Sequence, residues 1–200
     1  MSIEVLKENA LKNGIEVLFV QTKQEALEKA KEYIKPGISV GLGGSVSVEE
    51  IGFLEYLISR KDITLHNQYE DGISKEENLK RRKTGLIADI YITSTNALTK
   101  NGWLVNYDGA GNRVAAQIFG PDKLLLIVGV NKIVNDTQEA IARIGEIAAV
   151  KNAERINEKA LKFGKEADVT AQSISNKFTI IKKDTPGRIS VILVNEPLGY

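Results

Sequence analysis

Apolar positions along this chain alternate between short strand-like runs and helical stripes. Residues 2–13 place apolar side chains at helical spacing and stop at Asn13-Gly14. Ile15–Val20 is a short apolar strand. Thr22, with Glu25 three residues later, forms a capping box for a helix whose inner face is Ala26, Ala30 and Tyr33/Ile34; Pro36-Gly37 ends it. Ile38–Gly41 predicts the next strand. It runs into Gly41-Leu-Gly-Gly-Ser-Val-Ser47, where a helix starts at once. Ser47 and Glu50 make its capping box, and Ile51, Leu54, Leu57 and Ile58 its buried stripe.

Ile63–Leu65 predicts a short strand ending at His66-Asn-Gln68. Ser74 and Glu77 cap a third helix, which pairs Glu76 with Lys80 and Glu77 with Arg81 on its surface. Asp89–Thr93 is a further strand. Trp103–Tyr107 and Val114–Phe119 predict two strands around a hairpin loop, Asp108-Gly-Ala-Gly-Asn112. Lys123–Gly129 is nearly continuous in apolar residues, as suits a strand covered on both faces. Asp136 and Glu139 form a fourth capping box, and Ala140, Ile141, Ile144, Ile147 and Ala148 mark a helix against the sheet. A further helical pattern runs to about Phe163, where Gly164 stops it. Phe178–Lys182 and Ile189–Asn195 are the last strands, joined through Asp184–Arg188. Strands alternating with capped helices predict an α/β fold, a mainly parallel sheet covered on both faces. Without repeat or linker, residues 1–200 are expected to form one domain.

Composition narrows the chemistry. With 27 basic and 26 acidic residues the net charge is +1, which gives no electrostatic footprint for nucleic acid or an anionic membrane. The chain has no cysteine, so no thiol nucleophile, zinc–thiolate site or cysteine-ligated iron–sulfur cluster is possible within it. A single histidine, His66, leaves little for a metal site, and none is expected. The N-terminus is too charged for a signal peptide, and no apolar run approaches the ~18 residues of a membrane helix. A cytoplasmic location is expected.

Candidate binding residues gather at predicted strand ends, the rim where open α/β sheets hold ligands. Gly43, Gly44 and Ser45 sit in the glycine loop, where a bare backbone and a helix start suit phosphate or carboxylate; a ligand-free turn explains the same residues. Asn96, Asn106, Asn112 and Arg113 follow, with Asp108 as an acid or as a structural ion-pair partner of Arg113. Asn131 and Lys132 come directly after the buried strand. Lys132 is either a solvent-facing lysine or, if desolvated, an anion ligand, a base or a Schiff-base amine. Glu49 is a possible general base beside Glu50. Lys80-Arg-Arg-Lys83 is expected to be a solvated helix face, and Trp103 core.

Thr95-Asn-Ala-Leu-Thr99, Gly102-Trp-Leu-Val-Asn106, Gly111-Asn-Arg-Val-Ala-Ala116, Phe119-Gly-Pro121 and Val128-Gly-Val-Asn-Lys-Ile-Val134 resemble the lactate-utilization (LUD) domain family, as does Gly43–Gly52. The resemblance implies a three-layer α/β/α sandwich with a mainly parallel sheet, similar to the sugar-phosphate isomerase and CoA-transferase superfamily. It also implies a link to lactate or a related hydroxy or keto acid, with some members serving as subunits of electron-transferring assemblies. A sugar-phosphate isomerase and a non-catalytic subunit are the alternatives, and assembly as a homo-oligomer or with redox partners stays open. Two departures matter. Relatives often carry a C-terminal cysteine cluster; here the stretch Ala167–Phe178 has none. Coenzyme A transferases use a glutamate nucleophile where this chain has Ser94-Thr-Asn-Ala97, so an acyl-glutamate mechanism is not expected.

Overall fold

A computed structural model describes residues 2–162, 164 and 166–200. The elements follow in the order α1 (Ile3–Lys12), β1 (Ile15–Val20), α2 (Lys23–Lys31), β2 (Ser39–Leu42), α3 (Val46–Glu50), α4 (Phe53–Ser59), β3 (Thr64–His66), α5 (Lys75–Gly85), β4 (Ile90–Thr93), β5 (Ala97–Thr99) and β6 (Leu104–Asp108). Then come α6 (Asn112–Ile118), β7 (Lys123–Gly129), β8 (Ile133–Val134), α7 (Thr137–Arg143), α8 (Ala149–Lys162), β9 (Lys177–Ile181) and β10 (Ile189–Val194). The end of the last long helix predicted at Phe163 lies outside the described residues.

Among the described residues the strands form two sheets. The larger is wholly parallel, in the order β1-β10-β7-β4-β2-β3. Its centre, β7 and β10, is buried on both faces. Period-two alternation sends Leu124, Leu126 and Val128 to one side, Leu125 and Ile127 to the other. The second group packs with Phe53, Leu57 and Ala26 under α2, α3 and α4. The first packs with Leu6 and Ala10 of α1 and with Leu98, Leu104 and Ile181 of the smaller sheet, β8-β5-β6-β9. That smaller, mixed sheet carries α7 on its outer side through Ala140 and Ile144. The result is a three-layer α/β/α sandwich around a mainly parallel sheet. Each fully buried Leu or Ile stabilises it by about 1.5–3 kcal/mol.

Three local expectations need correction. Val114–Phe119 is not a strand: α6 occupies Asn112–Ile118, and Asp108–Asn112 is a strand-to-helix turn rather than a hairpin loop. Gly111, at φ +96°, turns the chain into the helix, and Arg-Val-Ala-Ala-Gln suits a helix better than a ladder. The cap of α3 is Ser45, whose hydroxyl accepts from the Val48 N–H at 3.3 Å; Ser47 points inward, and Glu50 accepts from the Gly199 N–H. Finally, Ile58, Ile141 and Ile147 are exposed; Phe53, Leu57, Ala140, Ile144 and Ala148 do the burying.

Candidate functional site

In a parallel sheet all carboxyl ends meet at one edge. From β1 the chain goes to β2, moves outward to β3, then returns to β4 on the other side of β2 and runs inward through β7 to β10. The direction of winding reverses between β2 and β4, which opens a crevice there. A pocket of about 450 Å³ lies at that place. Its walls come from the segments that leave the strands: Gly44 and Ser45 after β2, Gln68 and Tyr69 after β3, Ser94, Thr95 and Asn96 after β4, and Lys132 after β7. Further lining comes from Asp108 at the end of β6, Asn112 and Arg113 at the start of α6, Arg82 of α5, and Asn152, Arg155 and Tyr200.

Lys132 is the least expected of these. It is only 3% exposed, against a solvent-facing alternative in the sequence. Its Nζ donates to Ser47 Oγ at 2.9 Å and to Ser94 Oγ at 3.0 Å, two neutral oxygens. Burial, with Arg143 and Arg113 nearby and only Glu50 opposing, pulls its pKa down to about 7. Buried Arg143 ties the surrounding loops together: Nε donates to the Asn131 carbonyl at 3.1 Å and Nη1 to the Asn96 carbonyl at 2.8 Å. The segments after β7 and β4 are thus clamped by one guanidinium.

Arg113 is held by a fork of acceptors. It donates to Asn106 Oδ1 at 2.7 Å, Asn96 Oδ1 at 2.9 Å and the Ser94 carbonyl at 3.2 Å, and its Nε lies 3.3 Å from Asp108 Oδ2. Asp108 also accepts from the Gly111 N–H at 2.8 Å. Asp108 is therefore the ion-pair partner of Arg113 and also stands in the pocket wall. Asn106, fully buried, bonds Gln117, Arg113 and the Asn96 N–H; it orients its neighbours from behind the wall.

Ser45, Gly44, Asn96, Asp108, Asn112, Arg113 and Lys132 therefore share one pocket. Four candidates do not reach it. Gly43 packs against β4, where an added Cβ would sit 2.7 Å from Thr93 Oγ1. Asn106 lies behind Arg113. Asn131 pins the tail instead, accepting from the Leu198 N–H at 3.0 Å. Glu49 is exposed and outside the lining.

Several lining residues escaped the sequence reasoning. Arg82 belonged to the run expected to be a solvated face; Arg81 does pair with Glu77 and Glu70, but Arg82 turns inward. Its Nε is buried with no partner among the described residues, as is Gln68 Oε1. Tyr69 lies beside Gln68, which donates to its hydroxyl at 2.6 Å; burial pushes that hydroxyl's pKa up to about 12. Gln68 and Tyr69 obey the same strand-end rule as the other candidates. Arg155 could have been found by phase, since Ala148, Asn152, Arg155 and Ile156 follow helical spacing along one face. A π-helical turn at Ile144–Ala148 sits in this wall, a distortion often found at functional sites.

The stretch 167–178 contributes Ile174 and Ser175 to the pocket and no metal-binding side chain. No group of three or more His, Cys, Asp or Glu that could hold a metal occurs among the described residues. The donors present do not fit an iron–sulfur cluster.

The fold and the site define an α/β protein with a pocket at the winding reversal of its parallel sheet. The chain belongs to the LUD domain family, whose model matches residues 3–194. The fold is similar to that of a DUF162 family protein from Deinococcus radiodurans, at TM-score 0.51 and 15% identity over 96% of each chain. Weaker superpositions reach a ribose 5-phosphate isomerase bound to phospho-erythronic acid (TM-score 0.37, 15% identity) and one from Plasmodium falciparum (0.36, 20% identity). Both cover 64% of this chain and 66% of the other. No curated protein matches.

Proposed function

We propose that this protein binds a small anionic metabolite in the pocket between the ends of β2 and β4. One observation carries the reading. Arg82, Arg113 and Arg155 line the pocket beside Lys132, with Asp108 as the one carboxylate among its described lining residues, and Asp108 already serves Arg113. Cations withdrawn from water without counter-charges are costly, and an anion in their midst offsets that cost. The Nε of Arg82, without a partner among the described residues, is a donor left to meet it. Gly44 and Ser45 border the same space, while Asn96 and Asn106 hold Arg113 in position.

Family membership makes lactate, or a related hydroxy or keto acid, the first substrate class. Oxidising lactate removes two electrons, so that role requires a redox partner or a diffusible acceptor. A phosphorylated sugar is the second reading, favoured by size. Bulk water takes ~30 Å³ per molecule, so a three-carbon acid leaves most of a pocket of about 450 Å³ unfilled. In that reading Asp108 or Lys132 would move the proton of an aldose–ketose isomerisation.

A thermal-shift panel of lactate, pyruvate, ribose 5-phosphate and inorganic phosphate tests both. Ligand at a hundred times its Kd stabilises by about 2.7 kcal/mol, roughly 5–10 °C in a chain of this size. A shift with ribose 5-phosphate alone selects the second reading. No shift with any member at millimolar concentration removes the proposal.

A further inference from the structure

A second feature of the pocket does more than attract charge. Ser94 stands in the wall with its backbone fixed from two sides: its carbonyl accepts from Gln117 Nε2 at 3.0 Å and from Arg113 Nη1 at 3.2 Å. Its hydroxyl accepts from Lys132 Nζ at 3.0 Å and donates to the Thr95 carbonyl at 3.2 Å. Behind the lysine, on the side away from the cavity, Ser47 Oγ lies 2.9 Å from the same nitrogen and is wholly buried. A hydroxyl on a residue of the cavity wall, an amine within hydrogen-bond reach of it and a third group orienting the amine make the arrangement of an activated nucleophile. We propose that Ser94 is a nucleophile and Lys132 its general base, and that the pocket performs acyl transfer on an ester or thioester of a carboxylate- or phosphate-bearing acid.

The substitution of serine for the acidic residue of coenzyme A transferases does not argue against this. An isolated hydroxyl cannot replace a carboxylate, but a hydroxyl beside an amine in a buried wall is a different group. A protonated lysine surrounded by Ser47, Ser94 and the backbone of Gly199 has no counter-charge, so the neutral amine is favoured. The charged groups facing it are Arg143 from α7 and Arg113 from α6, which favour the neutral form, and Glu50 from α3, which opposes. In the forward step the Ser94 hydroxyl turns its proton from the Thr95 carbonyl to the neutral amine, and Lys132 Nζ takes that proton as the Oγ–carbon bond forms. The bond from carbon to the leaving oxygen or sulfur then breaks, and the ammonium returns its proton to that atom. Water attacks the acyl–Ser94 by the same route and releases the acid. No oxidant or reductant enters.

The naming of an anionic acyl donor rests on the binding reading above; the serine–lysine pair does not. The test therefore uses uncharged probes, a fluorophosphonate and p-nitrophenyl acetate, on the full chain between pH 6 and 9, read by intact mass and peptide mapping. One adduct is expected, on Ser94, forming faster as pH rises through about 7. Ser94→Ala should remove it. Lys132→Met should slow it about 100-fold or more. Lys132→Arg, which keeps a cation but supplies no base, should do the same if the methionine variant misfolds. Ser47→Ala, a positioning change, should displace the pH midpoint while Ser94 remains the labelled residue.

Three results would overturn the proposal: no adduct on Ser94 across this range, labelling of Lys132→Arg at the wild-type rate, or borohydride trapping of pyruvate on Lys132 with Ser94 unlabelled. The last result would make the lysine itself the nucleophile. Labelling of Ser94 together with an empty thermal-shift panel would keep the pair and discard the anionic ligand.

Discussion

The two ends of the parallel sheet handle polar groups in opposite ways. At the amino edge, polar groups find partners close by. Asp184 grips Arg188 through two hydrogen bonds, 2.8 Å to Nε and 2.6 Å to Nη2, and Arg188 reaches the carbonyls of Ala116 and Gln117. Asp89 accepts from both the N–H and the hydroxyl of Ser39, which hold its carboxyl below the usual range. At the carboxyl edge, the hydrogen-bond partners of Lys132 Nζ among the described residues are two hydroxyls, and Arg82 Nε, Gln68 Oε1 and Thr93 Oγ1 are buried with no partner among those residues. One edge is finished by the chain itself. The other is left for something else to finish, and it is the edge where the winding reverses.

The largest consequence is a pH dependence that belongs to one lysine. An unfolded lysine titrates near 10.5, whereas Lys132 in the fold is pulled down to about 7. Between these values the unfolded chain binds more protons, so stability rises with pH across the window. The burial penalty is fully present below pH 7 and relieved as pH climbs, by at most about 5 kcal/mol at 1.36 kcal/mol per unit. Tyr69 and Tyr91, pushed upward by burial, act in the opposite sense above pH 10. Urea unfolding between pH 6.5 and 9 should show stability climbing in the wild type and a flatter profile in Lys132→Met. Parallel profiles would mean that the lysine is not desolvated.

The amino edge should respond differently. Asp184→Ala strips the carboxylate from Arg188, and both side chains are well buried. Leaving one member of a buried pair alone costs roughly 3–5 kcal/mol. Melting should fall by about 10 °C, while ligand-induced shifts keep their size. Loss of ligand response at unchanged stability would abolish the contrast between the edges.

Arg82→Met inverts that outcome. The wild-type side chain already carries an unpartnered buried Nε, so its removal should leave stability within about 1 kcal/mol. A charge-assisted hydrogen bond to a bound anion is worth about 1.5–3 kcal/mol, so affinity should drop roughly 10- to 100-fold. Calorimetric titration of whichever panel ligand binds decides this.

These contrasts also show how far the residues alone could be followed. The sheet was legible because β7 and β10 are apolar without interruption and their neighbours are punctuated by capped helices. The strand-end rule located the pocket, and Gly44, Ser45, Asn96, Arg113 and Lys132 with it. The sequence misled where two physical accounts produce one pattern. Val114–Phe119 is a short apolar run that fits strand and helix equally by periodicity. Lys80–Lys83 is a basic run in which Arg81 meets glutamates and Arg82 turns inward, a distinction set by tertiary packing. Lys132 carries no local mark of burial, because what buries it comes from Ser47, Ser94 and Gly199, far along the chain.

The smallest expected effect separates the two duties of the glycine loop. Ser45 Oγ caps α3 by accepting from the Val48 N–H and also borders the pocket, whereas Ser47 belongs to Lys132. Replacing an N-cap serine by alanine costs about 1 kcal/mol, and by glycine only a few tenths. Ser45→Ala should therefore lower stability measurably and Ser45→Gly hardly at all. Ligand affinity need not follow that order. If the hydroxyl also reaches the bound anion, both variants should weaken binding by the same factor, since both lack it. If affinity instead tracks stability, falling for alanine and recovering for glycine, the loop acts by holding its shape, and its backbone rather than its hydroxyl faces the ligand.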